Sequence, residues 1–404
     1  MNLRTATGSA SSILLLLSSI HGAAAELPLV TDSKCGCYVT NGSNSAFYTT
    51  HRFYDFRSLS QYVGSGVPDV PGSSPRAASN ASMTSGYFNT STFTDDWSIM
   101  TWNNSASLGD DASILMVNSP TNIFVEKNND TDADSDTYLT MRTARHEDFQ
   151  SASEIESNSD RYRFVSMRML ARTTGAPGAC TALFTYRSAN DYADVQEADI
   201  EILTKDPTDK IMYTNQPSYV KVGNDTQNIP ESNINGTAPV DWTQWSVHRL
   251  DWTPSRTTWY VDGRQVASIS FQTPRDASRI MLNSWSNGGD WTGVMGIGKQ
   301  ARMQIKWLEM VYNQTSPETS RMRPRDHSGN GGRGSGNSNP GRYSDSGSTE
   351  GLSDGKCRTV CSIDETSQRG MAAVVADGGA AAIKVAAWIP ITVALAATLA
   401  ASMF

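Results

Sequence analysis

The chain has 404 residues, with 41 acidic against 33 basic side chains and a formal net charge of -8. That sign argues against a nucleic-acid binder, which needs a basic face. Five cysteines are too few, and odd in number, for a disulfide-framed scaffold, and none of the five histidines stands near them at ligand spacing, so neither a metal site nor a cofactor is expected.

Taken in order, residues 1–25 carry Arg4, the apolar run from Ile13 to Leu17, and Ala23, Ala24 and Ala25. A charged start, a short apolar stretch and a small-residue end read as a secretory signal peptide, cleaved before Glu26. The exported chain would meet an oxidising compartment, where the sequons at Asn41, Asn80, Asn89, Asn103, Asn129, Asn224, Asn235 and Asn313 mark surface loops for glycosylation. Cys35 and Cys37 flank a single glycine and are poorly placed to bond each other. One of them is expected to join Cys180, with Cys357 and Cys361 paired in the tail.

Residues 26–315 show no internal repeat and no helical period. Short runs rich in Val, Ile, Tyr, Phe, Trp and Thr alternate with Gly, Asn, Asp and Pro clusters, as in Tyr138–Arg142 and Met303–Val311. These predict antiparallel strands in one all-β domain, a sandwich or a barrel, with Asp262-Gly263 as a two-residue hairpin turn.

One strand stands apart. Val195 to Leu203 places Glu197, Asp199 and Glu201 at alternate positions, so that three carboxyls share one face while Ala198, Ile200 and Ile202 share the other. Crowded carboxyls raise one another's pKa, which keeps one protonated beside an ionised neighbour. Glycosidic bond cleavage needs such a pair, one nucleophile and one general acid and base. The outer two lie about 13 Å apart along an ideal strand at Cα, so their side chains must converge over Asp199 to reach the roughly 5 Å that retention of configuration requires. The bland alternative is an acidic, solvated strand face. No nucleophile elbow, phosphate-cradling loop or dinucleotide fingerprint competes.

Tryptophans crowd the same third of the chain. Trp252, Trp259 and Trp307 lie within alternating strands and read as core. Trp285 and Trp291 flank the loop Asn287-Gly288-Gly289-Asp290 and are candidates for stacking a sugar ring. Asn283 and His248 are candidates for supporting the acids or substrate, a structural polar role standing equally open for each.

The acid run resembles the Glu-x-Asp-x-Glu strand of glycoside hydrolase family 16. The likeness extends, in the family's order, through Arg161–Met169, Ala182–Tyr186, Trp245–Pro254, Thr258–Arg264 and the Trp- and Gly-rich stretch Leu282–Gly293, about residues 135–312. The resemblance implies a concanavalin-A-like jelly roll of two curved antiparallel sheets, with Glu197 as nucleophile, Glu201 as acid and base, and Asp199 orienting and tuning Glu197. One departure is Trp245-Ser246-Val247-His248, where many members carry Phe-His-x-Tyr.

Residues 316–376 turn to Ser, Gly, Asn, Arg and Pro, a composition expected of a flexible linker. Residues 377–404 follow small residues at Asp377-Gly378-Gly379 with an uncharged, mostly apolar run from Val385 to Phe404. That pattern reads as a glycosylphosphatidylinositol (GPI) attachment signal, the rival being a retained single span. The layout resembles fungal cell-wall members of the family. It implies a secreted, monomeric enzyme held at the cell surface, a retaining endo-β-glucanase acting on β-1,3 or mixed β-1,3/1,4-glucan. The alternatives are a wall transglycosylase and a catalytically silent, lectin-like wall protein.

Overall fold

The computed structural model describes residues 27–316, apart from 45, 71–73, 110–111 and 223–224, and residues 357–377, apart from 367. The expected signal peptide and the apolar C-terminal run lie outside the described residues. Among the described residues no helix is long and apolar enough to cross a membrane.

The body is an all-β jelly-roll sandwich. One layer runs Asn233–Thr237, Lys210–Gln216, Gln196–Leu203, Cys180–Arg187, Arg279–Trp285 and Gln150–Ser157. The other runs Arg264–Ile269, Thr257–Val261, Ser246–Trp252, Tyr162–Gly175, Gln300–Gln314 and Thr137–Arg145. Strand Gln150–Ser157 joins them, pairing with Thr137–Arg145 at its start and with Arg279–Trp285 further on. The hairpin turn falls at Asp262-Gly263 as expected: both residues have positive φ, 47° and 76°, the backbone that suits the twist of a two-residue loop and that glycine adopts without strain.

Alternation explains where the core sits. Ala198, Ile200 and Ile202 point inward from the acid strand and meet Met167, Met169, Leu250, Trp252, Trp259 and Ile305 from the facing layer. Each large apolar side chain removed from water there contributes about 1.5–3 kcal/mol. The opposite face of the same layer is also apolar around the acids, with Cys180, Ala182, Phe184, Leu203, Met212 and Met281 forming a second cluster. Trp252 and Trp259 lie in the sandwich core as expected. Trp307 is buried too, but beside Phe53 and under the Arg369 guanidinium.

The C-terminal region overturns two expectations. Residues 357–377 are not linker: Thr359–Ser362 and Ala372–Asp377 build a second, five-stranded sheet with Leu29–Val30, Cys37–Val39 and Phe47–Tyr48. The disulfides are Cys35–Cys361 and Cys37–Cys357, with Cα separations of 5.7 and 5.2 Å, and Cys180 is free. Local spacing predicted otherwise because a polar stretch hides the return of the chain to its own start. Cys180 lies inside a sheet, paired opposite Leu203 and Trp285, remote from either partner proposed for it.

Charge completes this docking. The Asp364 carboxylate is ion-paired to Arg168 and, at 3.1 Å, to Arg249. Burial works to raise its pKa, but the two guanidiniums prevail and hold it below the ordinary carboxylate range. His51, between Asp32 and Glu309, is raised to about 9 because those two carboxylates outweigh its burial.

Candidate active site

The acid strand Gln196–Leu203 is flanked on both sides within its sheet. Glu197, Asp199 and Glu201 stand opposite Tyr186, Phe184 and Ala182 on one neighbour and opposite Gln216, Thr214 and Met212 on the other. All three carboxyls therefore issue from one face, among the apolar Phe184, Ala182 and Met212 and the polar Gln216 and Thr214. Glu197 and Glu201 are half-buried and Asp199 is 1% exposed.

Next to them lies a cavity of about 210 Å³, lined by Trp102, Glu154, Phe184, Glu197, Glu201, Asn283 and Trp285 among others. It opens into a larger, more polar groove of about 830 Å³ that Tyr186, Arg187, Glu156 and Arg279 help to line.

Burial raises the pKa of all three acids, and their mutual repulsion adds to the rise at Glu197 and Asp199. The hydrogen bond between Glu197 and Asp199 acts in opposite senses on its two members: it lowers Glu197 and raises Asp199 further. When the pair holds a single proton, that hydrogen bond favours its lying on Asp199 and the charge on Glu197, which burial itself pushes up to about 8. Glu201 is raised by burial, against the donors that reach it: Trp291 Nε1–H donates to its Oε1 across 3.2 Å and the Cys180 thiol across 3.3 Å. One strand thus presents two carboxyls, Glu197 and Glu201, to the same cavity, both held above the ordinary carboxylate range by burial.

Of the other predicted residues, Asn283 and Trp285 line the cavity, and Trp291, 37% exposed, stands at its edge against Glu201. His248 is a correction. It is 1% exposed and faces the sandwich interior beside Met169, Ile200, Ile202 and Met303, where neither ring nitrogen finds a hydrogen-bond partner. Burial pushes its pKa down to about 4, so it stays neutral. Alternation explains the miss: in Ser246–Trp252 the even positions, His248 among them, share a face with core residues Leu250 and Trp252.

Three contributors went unnoticed in the sequence. Trp102 reaches the cavity from a remote segment and donates from Nε1 to Glu154 at 2.6 Å. Glu154, also approached by Asn283, is raised to about 7, first by burial and then by Glu156. Its alternation with Glu156 repeats the acid-x-acid signal and was legible. Cys180 carried no signal at all, since its contact with Glu201 crosses two strands.

Residues 117–309 match the model of Glycosyl hydrolases family 16. A "Beta-glucanase" of Bacillus licheniformis is 29% identical over 125 residues, 29% of this chain and 45% of that protein. A "Xylanase/beta-glucanase" of Ruminococcus flavefaciens is 31% identical over 148 residues, 35% of this chain and 17% of that protein. The chain thus spans less than half the length of these curated relatives. Among solved structures, the Bacillus licheniformis beta-glucanase superposes with a TM-score of 0.41 at 20% identity, covering 55% of this chain and 94% of that one. The laminarinase catalytic domain of Thermotoga maritima gives 0.40 at 20% identity, covering 55% and 93%. The part of the chain that matches glycosyl hydrolases family 16 is thus residues 117–309, which carry the acid strand and strands of both sandwich layers.

Proposed function

We propose that this protein is a retaining endo-β-glucanase that cleaves β-1,3 or mixed β-1,3/1,4-glucan by double displacement. The observation that carries the reading is one strand that turns Glu197 and Glu201, with Asp199 between them, toward a cavity lined by Trp102 and Trp285. Glu197 attacks the anomeric carbon while Glu201 gives its proton to the departing glycosidic oxygen, leaving a glycosyl ester on Glu197. Glu201, now ionised, takes a proton from water. The resulting oxygen attacks the anomeric carbon and frees Glu197. Asp199 keeps its proton throughout and orients Glu197. The names of the relatives, beta-glucanase and laminarinase, support this substrate class.

The second reading, a transglycosylase, has one supporting observation. Trp291, partly exposed on the loop beside Glu201, offers an apolar face on which an incoming sugar could rest in place of water. For location, the sequence features at both ends support export and retention at the cell surface through a GPI anchor.

Mass spectrometry of products from defined β-1,3, β-1,4, mixed-linkage and chitin oligosaccharides tests the reading. Shorter products alone support the hydrolase and name the linkage. Products longer than the starting material transfer the assignment to a transglycosylase. Binding without turnover, equal in the native protein and Glu197→Gln, would overturn both in favour of the lectin-like alternative.

A further inference from the structure

Cys180 is 0% exposed, outside both disulfides, and close to the acid strand. A buried thiol on a sheet strand ordinarily packs as a small apolar group. Here its Sγ lies 3.3 Å from Glu201 Oε1, the same oxygen that accepts from Trp291 Nε1–H at 3.2 Å. Trp285 lies opposite Cys180 on the neighbouring strand. Two donors from different segments thus converge on one oxygen of the carboxyl that the proposed function uses as its acid.

We infer that Cys180 is a positioning residue for the proton donor: its thiol, with the Trp291 indole, saturates Oε1 of Glu201 and confines the transferable proton to Oε2. This rests on the reading of Glu201 as the acid and base. An oxygen that already accepts two hydrogen bonds is a poor place for a proton, so the acidic hydrogen sits on the other oxygen, free to meet the leaving group. When Glu201 ionises, both donors stay and strengthen, because a charged acceptor draws a shorter, stronger bond. The thiol cannot compete for the charge. Burial first, and then the neighbouring Glu201, keep it protonated far beyond the working range. A serine would donate more strongly and an alanine not at all.

The S–H stretching band tests the contact without any need for turnover. The other four cysteines are disulfide-bonded, so the infrared band belongs to Cys180 alone. In the native protein it should move to lower frequency as rising pH ionises Glu201, and in Glu201→Gln it should not move. A band indifferent to pH in the native protein overturns the inference. The kinetic readout is the alkaline limb of the pH–rate profile, which reports loss of the acid's proton. Cys180→Ala, lacking a donor to the ionised form, should move that limb up by about half to one pH unit, and Cys180→Ser should bring it back to or below the native position. A limb unmoved in the variants overturns the proposal too. Should the alanine variant fail to fold, the serine variant and the native band decide. A titrating band in a protein without turnover would instead sink the glucanase reading.

Discussion

Asp364, from the C-terminal segment, places its carboxylate 3.1 Å from the guanidinium of Arg249, which also holds Asp251 at 2.7 Å. Both partners are nearly out of solvent, so removing Asp364 leaves the buried Arg168 and Arg249 short of the carboxylate that they share. Asp364→Ala should destabilise the protein by about 3–5 kcal/mol, the usual cost of breaking a buried pair from one side. Denaturant unfolding at neutral pH measures it. A loss under 1 kcal/mol would show that the segment docks through its strands and disulfides alone.

The two acids should separate kinetically. In Glu201→Gln the proton donor is gone, so turnover of natural glucan should fall about 10²–10⁴-fold. Aryl glycosides whose leaving groups need no proton should still form the glycosyl ester, and it should accumulate, because water is no longer deprotonated. Intact-protein mass spectrometry after mixing would detect it. The alkaline limb of the pH profile should vanish in the same variant.

Glu154 should tie stability to pH. Its folded pKa of about 7 exceeds the ordinary 4.5, so the folded state keeps a proton that the unfolded chain has already lost between those values. The native protein should therefore lose stability as pH rises from about 4.5 to 7. Glu154→Gln removes the ionisable group while keeping an acceptor for Trp102. It should be more stable than the native protein by about 1–3 kcal/mol at pH 8, with the difference closing toward pH 4. Parallel melting curves across pH would show either convergence or, against this account, a constant offset.

His248→Leu should leave catalysis nearly alone. Both ring nitrogens lie buried without a hydrogen-bond partner, so an apolar side chain of similar size should cost little or even stabilise. KM for a glucan oligosaccharide should change less than twofold. A rise of tenfold or more would return His248 to the binding site.

What the sequence determined by itself was whatever depends on alternation. Glu197, Asp199 and Glu201 had to share a face because strand side chains alternate with period two, and Ala198, Ile200 and Ile202 had to face a core for the same reason. Trp252 and Trp259 followed the same rule. His248 obeyed it too, against the role assigned to it, because its neighbours Leu250 and Trp252 already marked that face as interior.

Only the tertiary structure decided what lies across strands. Cys180 meets Glu201 because two strands pair in one register, and Trp102 meets Glu154 because a distant segment folds over the cavity. The return of residues 357–377 to Cys35 and Cys37 was likewise invisible, since a polar stretch says nothing of where its far end docks. Proton placement belongs here as well. Glu197 and Asp199 are both carboxyls on one strand, and which of them holds the shared proton depends on burial and on the hydrogen bond between them, quantities that exist only once the sheets have closed.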